Sequence, residues 1–141
     1  MEIAESTRSR ILNAAIEMME SGGESSVRLG TIAEGLGIKE PSIYHHFANR
    51  TELVNAAYIE WYWQSLKTDI PVGAMMALVD SRKDYVRTLR KIMEWGYKPE
   101  RLQARAIHIS VLGAAQRNAE LASAINEINR KFLATVASSI E

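Results

Sequence analysis

Cysteine is absent from the 141 residues, which excludes disulfides, thiol catalysis and thiolate metal sites together. Proline (three) and glycine (eight) are sparse, and no run of alternating β-branched residues occurs. Little of the chain therefore reads as strand or hairpin. No apolar run approaches the ~18 residues of a membrane span. Met1–Ser9 is polar and charged, without the apolar stretch of a signal peptide. Charge of one sign is missing too, since 17 Lys/Arg balance 17 Asp/Glu. Up to Ala57 there are five Lys/Arg against eight Asp/Glu, a net −3, and the remainder carries net +3. Any polyanion must then be met by a few placed cations rather than by a bulk field. These absences describe a protein expected to be cytoplasmic.

What remains is rich in Ala, Leu, Ile, Met, Glu and Arg, a helical mixture. The 47% of apolar residues suffices for a core. The spacing predicts a first helix over Thr7–Glu20, with Ser6 as cap and Ile11, Leu12, Ala15, Ile16 and Met19 on one stripe. Ser21-Gly22-Gly23 closes it. Two short helices, Leu29–Leu36 and Glu40–Phe47, follow around Gly37-Ile38-Lys39. A fourth starts at Arg50, where Asn49 is a cap with Glu52 as its reciprocal acid, and runs to Lys67. Thr68–Val79 reads as an irregular link holding Pro71 and Gly73. Further helices are expected from a cap at Asp80 or Ser81 to Trp95, from Pro99 to Arg117, and from Asn118 onward.

The two short helices carry the sharpest signal. Counting from Leu29, Ala33 is fifth, Gly37 ninth and Ile43 fifteenth. A small residue allows two helices to approach closely. The glycine permits a left-handed turn, and the aliphatic side chain plugs the small core between them. This is the spacing of a helix-turn-helix, whose second helix enters the major groove of DNA. Glu40 can accept from a cytosine amino group, Pro41 offers apolar contact to a thymine methyl, and Ser42 reaches a base edge or phosphate. His45 is expected on the outer face as a base or phosphate contact. Adjacent His45 and His46 point about 100° apart, which speaks against a shared metal. Ile43 and Phe47 read as core.

Pro41-Ser42-Ile43-Tyr44-His45-His46-Phe47 followed by Ala48-Asn49-Arg50-Thr51-Glu52-Leu53 resembles the signature of the tetracycline-repressor-like (TetR) family of transcription regulators. Ile11-Leu12-Asn13-Ala14-Ala15, and Ile32-Ala33 before Leu36-Gly37-Ile38, extend the likeness over Ile11–Tyr58. The resemblance implies an all-α protein with a three-helix DNA-binding domain over 1–50. A helical ligand-binding and dimerisation domain follows over 51–141. It implies a regulator, expected to be a ligand-responsive repressor on a palindromic operator as a homodimer, and not an enzyme. Tyr44 and His46 match positions that donate to phosphates, and Arg50 matches a basic position clamping the same strand. Arg28 and Lys39 stand where Ser or Thr often caps the short helices, weakening each cap by ~1 kcal/mol while adding a cation. No cofactor is implied, but a small apolar or aromatic effector is.

Tyr58, Trp61, Tyr62 and Trp63 crowd the fourth helix. They read first as ordinary core, and His108 as a core histidine. The functional alternative is a pocket joining Tyr58, Trp61 and Tyr62 to Met75, Met76, Trp95, Leu102, His108 and Leu112, since methionine adapts to irregular apolar ligands. The chain reaches Glu141 with no helix stop signal and is shorter than such regulators usually are, so the second domain is expected to be incomplete. A rival reading is a helical interaction or oligomerisation module without DNA binding, in keeping with the net −3 of the first part.

Overall fold

The computed structural model describes residues 6–67 and 79–138, and these are helical with no strand among them. The helices are α1 (Thr7–Gly22), α2 (Leu29–Leu36), α3 (Glu40–Tyr44), α4 (Arg50–Lys67), α5 (Arg82–Gly96), α6 (Leu102–Ala115) and α7 (Ala119–Ser138). Among the described residues no helix is long and apolar enough to cross a membrane. The chain packs as two compact units, one ending at Trp61 and the other beginning at Tyr62. That boundary lies inside α4, whereas the sequence reading placed it at Arg50.

In the first unit several helix ends have a local cause. Ser6 accepts from the Ser9 amide at 3.1 Å and starts α1, which buries Ile11, Leu12, Ala15, Ile16 and Met19. α1 runs two residues further than the Glu20 expected and stops at Gly23, whose φ of 73° lies in the region open to glycine. Gly22 serves packing instead. A Cβ there would stand 2.8 Å from that of Ser26. Ser26 in turn donates to the carbonyls of Met18 (2.6 Å) and Gly23 (2.7 Å) and holds a 3-10 turn over Glu24–Ser26.

α2 closes at Gly37 (φ 66°), where the Ile38 amide returns to the Ala33 carbonyl at 3.0 Å. α3 is shorter than the Glu40–Phe47 expected. The Ile43 carbonyl accepts from both His46 (2.9 Å) and Phe47 (3.0 Å), so the last turn tightens and regular helix ends at Tyr44. Asn49 caps α4 by accepting from the Glu52 amide at 2.9 Å. Glu52 reaches back to the Ala48 amide at 2.7 Å, one residue before the expected reciprocal donor. Ile11, Ile43, Phe47 and Leu53 are essentially out of solvent and form the core of this unit with Val27 and Ala57.

In the second unit Ser81 caps α5 by accepting from the Asp84 amide at 3.1 Å. The Pro99–Arg117 helix of the sequence reading divides into a 3-10 turn at Pro99–Arg101 and α6. Arg105 secures that corner, donating to the carbonyls of Gly96 (2.7 Å) and Lys98 (3.1 Å), and Arg101 stacks 3.8 Å over the Trp95 ring. Asn118 caps α7 through the Leu121 amide at 3.0 Å. Ile107, Val111 and Ala114 of α6 and Leu121 and Ile125 of α7 are buried.

Candidate nucleic-acid interface

α2 and α3 are held by the three residues the spacing singled out. Ala33 is buried at the close approach, Gly37 is left-handed in the turn, and Ile43 is fully buried as the plug. With Ile43 and Phe47 turned inward, helical geometry turns the rest of α3 outward. Glu40, Pro41, Tyr44 and His45 are exposed, as are Lys39 just before the helix and Arg28 just before α2. Ser42 and His46 are half-buried at the edge of this row. The sequence-selected residues thus share one outward surface, except at its margins.

Neither Arg28 nor Lys39 caps its helix through the side chain, which leaves both cations on the surface. Arg8 adds another on α1, its guanidinium 4.7 Å from the centre of the Phe47 ring. The Glu40 carboxylate lies over Gly30, 3.4 Å from where a Cβ would stand. A side chain at position 30 would meet that carboxylate, so Gly30 exposes backbone beside the one acid of the row.

Arg50 departs from the sequence reading. Its guanidinium, expected to face a phosphate, donates through Nε to the Val27 carbonyl at 3.0 Å and through Nη2 to the Glu24 carbonyl at 2.6 Å. It is half-buried and ties the start of α4 to the connector between α1 and α2. Nothing local in the sequence separates a phosphate-facing cation from one facing carbonyls more than twenty residues away.

The expected effector pocket does not form as one group. Met75 and Met76 lie outside the described residues. Tyr58 and Trp61 turn to acids of the first unit, the Tyr58 hydroxyl donating to Glu24 (3.2 Å) and the Trp61 indole to Glu20 (3.0 Å). A buried phenol or indole needs an acceptor, and the sequence reading assigned neither acid that task. Leu102 and Leu112 are exposed, and half-buried Trp95 is covered by Arg101. Tyr62 and His108 do meet, with ring centres 5.0 Å apart. Buried Ser65 shares a 2.8 Å hydrogen bond with His108 Nε2, and the Tyr62 hydroxyl donates to Asn129 at 2.7 Å. Burial first, and the Arg101 charge second, hold the His108 pKa below its ordinary value. Among the described residues no cluster of three or more His, Asp or Glu is arranged to hold a metal.

Comparison with known proteins agrees with the geometry of the first unit. Residues 11–57 match the family described as bacterial regulatory proteins, tetR family. Over 57 residues the chain is 35% identical to the HTH-type transcriptional regulator UidR of Escherichia coli K12, covering 40% of this chain and 29% of that protein. It is 38% identical over 50 residues to the regulator AcrR of Shigella flexneri, covering 36% and 23%. These matches span less than a third of the curated relatives. Solved structures show a like fold over 96% of the chain. One is a TetR-family transcriptional regulator from Mesorhizobium loti (TM-score 0.65, 20% identity, 68% of that chain). Another is the multidrug binding protein EbrR complexed with proflavin (TM-score 0.65, 21% identity, 76% of that chain).

Proposed function

We propose that this chain, whose residues 11–57 match the tetR family of bacterial regulatory proteins, is a DNA-binding transcriptional regulator acting in the cytoplasm. The observation that carries the reading is the exposed row Arg28, Lys39, Glu40, Pro41, Tyr44 and His45 on a helix-turn-helix whose Ile43 and Phe47 are buried. The row supplies both things groove recognition needs. Lys39, Arg28 and the Tyr44 hydroxyl suit phosphates, which set affinity and register. Glu40, Pro41, Ser42 and His45 suit base edges, which set sequence. The regulator is read as a repressor that binds a palindromic operator as a homodimer and is released by a small apolar or aromatic effector. Tyr62 and His108 are the residues of the expected pocket that still support an effector site in the second unit.

The test is duplex binding across a salt series. Affinity is expected to fall steeply between about 50 and 200 mM salt. Lys39→Ala should weaken all sequences alike and lower the salt slope by about one, while Glu40→Ala and Ser42→Ala should change preference at particular bases. Failure to retain any duplex at low salt would remove the reading. It would favour an interaction module without DNA binding, to which the net −3 of the first 57 residues points.

A further inference from the structure

Arg50 is the one sequence-selected cation whose hydrogen bonds both run inward. Its planar guanidinium presents donors in a fixed fork, and here two of them meet two carbonyls, of Glu24 and Val27. Those carbonyls stand at the first residue of the 3-10 turn and just past its last, and Val27 immediately precedes Arg28, the residue from which α2 starts. Val27 itself is fully buried, and its amide donates to the Glu24 carbonyl at 3.2 Å. The Tyr58 hydroxyl, two turns further along α4, meets the Glu24 carboxylate from the same helix. Entry to α2 lacks a side-chain cap, because Arg28 makes no such bond. The fork holds the residue just before that entry.

We infer that Arg50 is a positioning residue, not a phosphate contact: it fixes where α2 begins, and through the α2–α3 turn how the reading helix is presented. The inference rests on the proposed DNA binding and adds a role that the family likeness does not assign to it. Charge is not what this role needs. A lysine keeps the cation but offers a single ammonium, which cannot reproduce a planar fork across two carbonyls. The two roles therefore part company under conservative substitution.

The experiment compares wild type, Arg50→Lys, Arg50→Gln and the core control Ile16→Val on a duplex selected by the wild-type protein from a randomised pool. For a positioning residue, Arg50→Lys binds at least about tenfold more weakly than wild type, from the lost charge-assisted bond. Arg50→Gln loses affinity with its salt slope unchanged, whereas loss of a phosphate contact lowers the slope by about one. Ile16→Val, which loosens the same core but leaves the Arg50 guanidinium in place, keeps wild-type affinity. Wild-type binding by Arg50→Lys, a slope lowered by about one in Arg50→Gln, or an equal loss in Ile16→Val each overturns the inference. Amide hydrogen exchange in the DNA-free protein gives a separate readout. Faster exchange at Val27 and Ile32 in Arg50→Lys than in Ile16→Val supports the fork, and equal exchange overturns it. If the wild-type protein selects no duplex, the proposed function falls, and exchange alone decides the role of Arg50.

Discussion

In the N-terminal unit Ile11, Ile43, Phe47 and Leu53 have lost essentially all contact with solvent, whereas in the C-terminal unit no residue of α5 is buried. The difference is not one of apolar content. α5 carries Tyr85, Val86, Leu89 and Met93 at helical spacing, yet Met93 remains 57% exposed and Val86 50%. On α6 and α7, Ile109 and Leu133 are more exposed still, at 72% and 64%. An amphipathic stripe states which face seeks cover and leaves open what covers it. The first unit answers within itself, by a wedge at Ile43, a left-handed turn at Gly37 and the Arg50 fork. The second keeps its order through caps, the Arg101 and Arg105 corner and the Tyr62–Asn129 bond, beside a modest α6–α7 core.

That contrast can be broken most directly at Phe47. Phe47→Ala should cost about 3–5 kcal/mol in urea denaturation and abolish cooperative melting of the first unit. A loss below about 1 kcal/mol would mean that the closed core is not what holds it. In the second unit Tyr62→Phe strands Asn129, and about 1–3 kcal/mol should disappear from the same measurement. His108 gives the contrast a pH axis. Its pKa is depressed from 6.5 in the folded chain, so native protein binds fewer protons than unfolded protein near and below that value. Stability from this group is complete above pH 6.5 and drains away as pH falls through the folded pKa. His108→Gln should flatten stability against pH in that window, and an unchanged curve would sink the assignment.

Finer tests follow. Ser6→Ala and Ser81→Ala each remove one N-cap bond and should each cost ~1 kcal/mol, since caps act locally whatever the core does. Unequal costs, read from paired melting curves, would show that one helix start is held by something else. The smallest effect belongs to the open stripe. Met93→Ala should change stability by less than about 0.5 kcal/mol at low protein concentration, while buried Met19→Ala loses about 2–5 kcal/mol. A large loss at Met93 would reveal a cover on α5.

The helix-turn-helix was readable before any coordinates, because each key position has a steric reason that a single residue type meets: Ala33 small, Gly37 left-handed, Ile43 a plug. The same holds for Asn49 as the cap of α4, whereas Glu52 returns to Ala48, one residue before the donor the spacing suggests. What the sequence hides depends on distance along the chain. Arg50 reads alike whether it faces a phosphate or the Val27 carbonyl, and Tyr58 and Trp61 read as pocket wall although their polar atoms belong to Glu24 and Glu20. Leu102 and Leu112 are apolar at the right spacing and yet exposed, since periodicity cannot report a missing neighbour. The end of α3 is hidden for a smaller reason: one carbonyl, Ile43, accepting two amides leaves no trace in composition.

α3 is only five residues long. At about 1.5 Å per residue it covers roughly 7.5 Å, the rise of some two or three base pairs. On the proposed function, that window can encode at most about six bits. Singling out one address among the ~10⁶ or more competing sites of a genome takes roughly twenty. On that same reading one α3 by itself falls short of a genomic address, in keeping with the proposal of a homodimer.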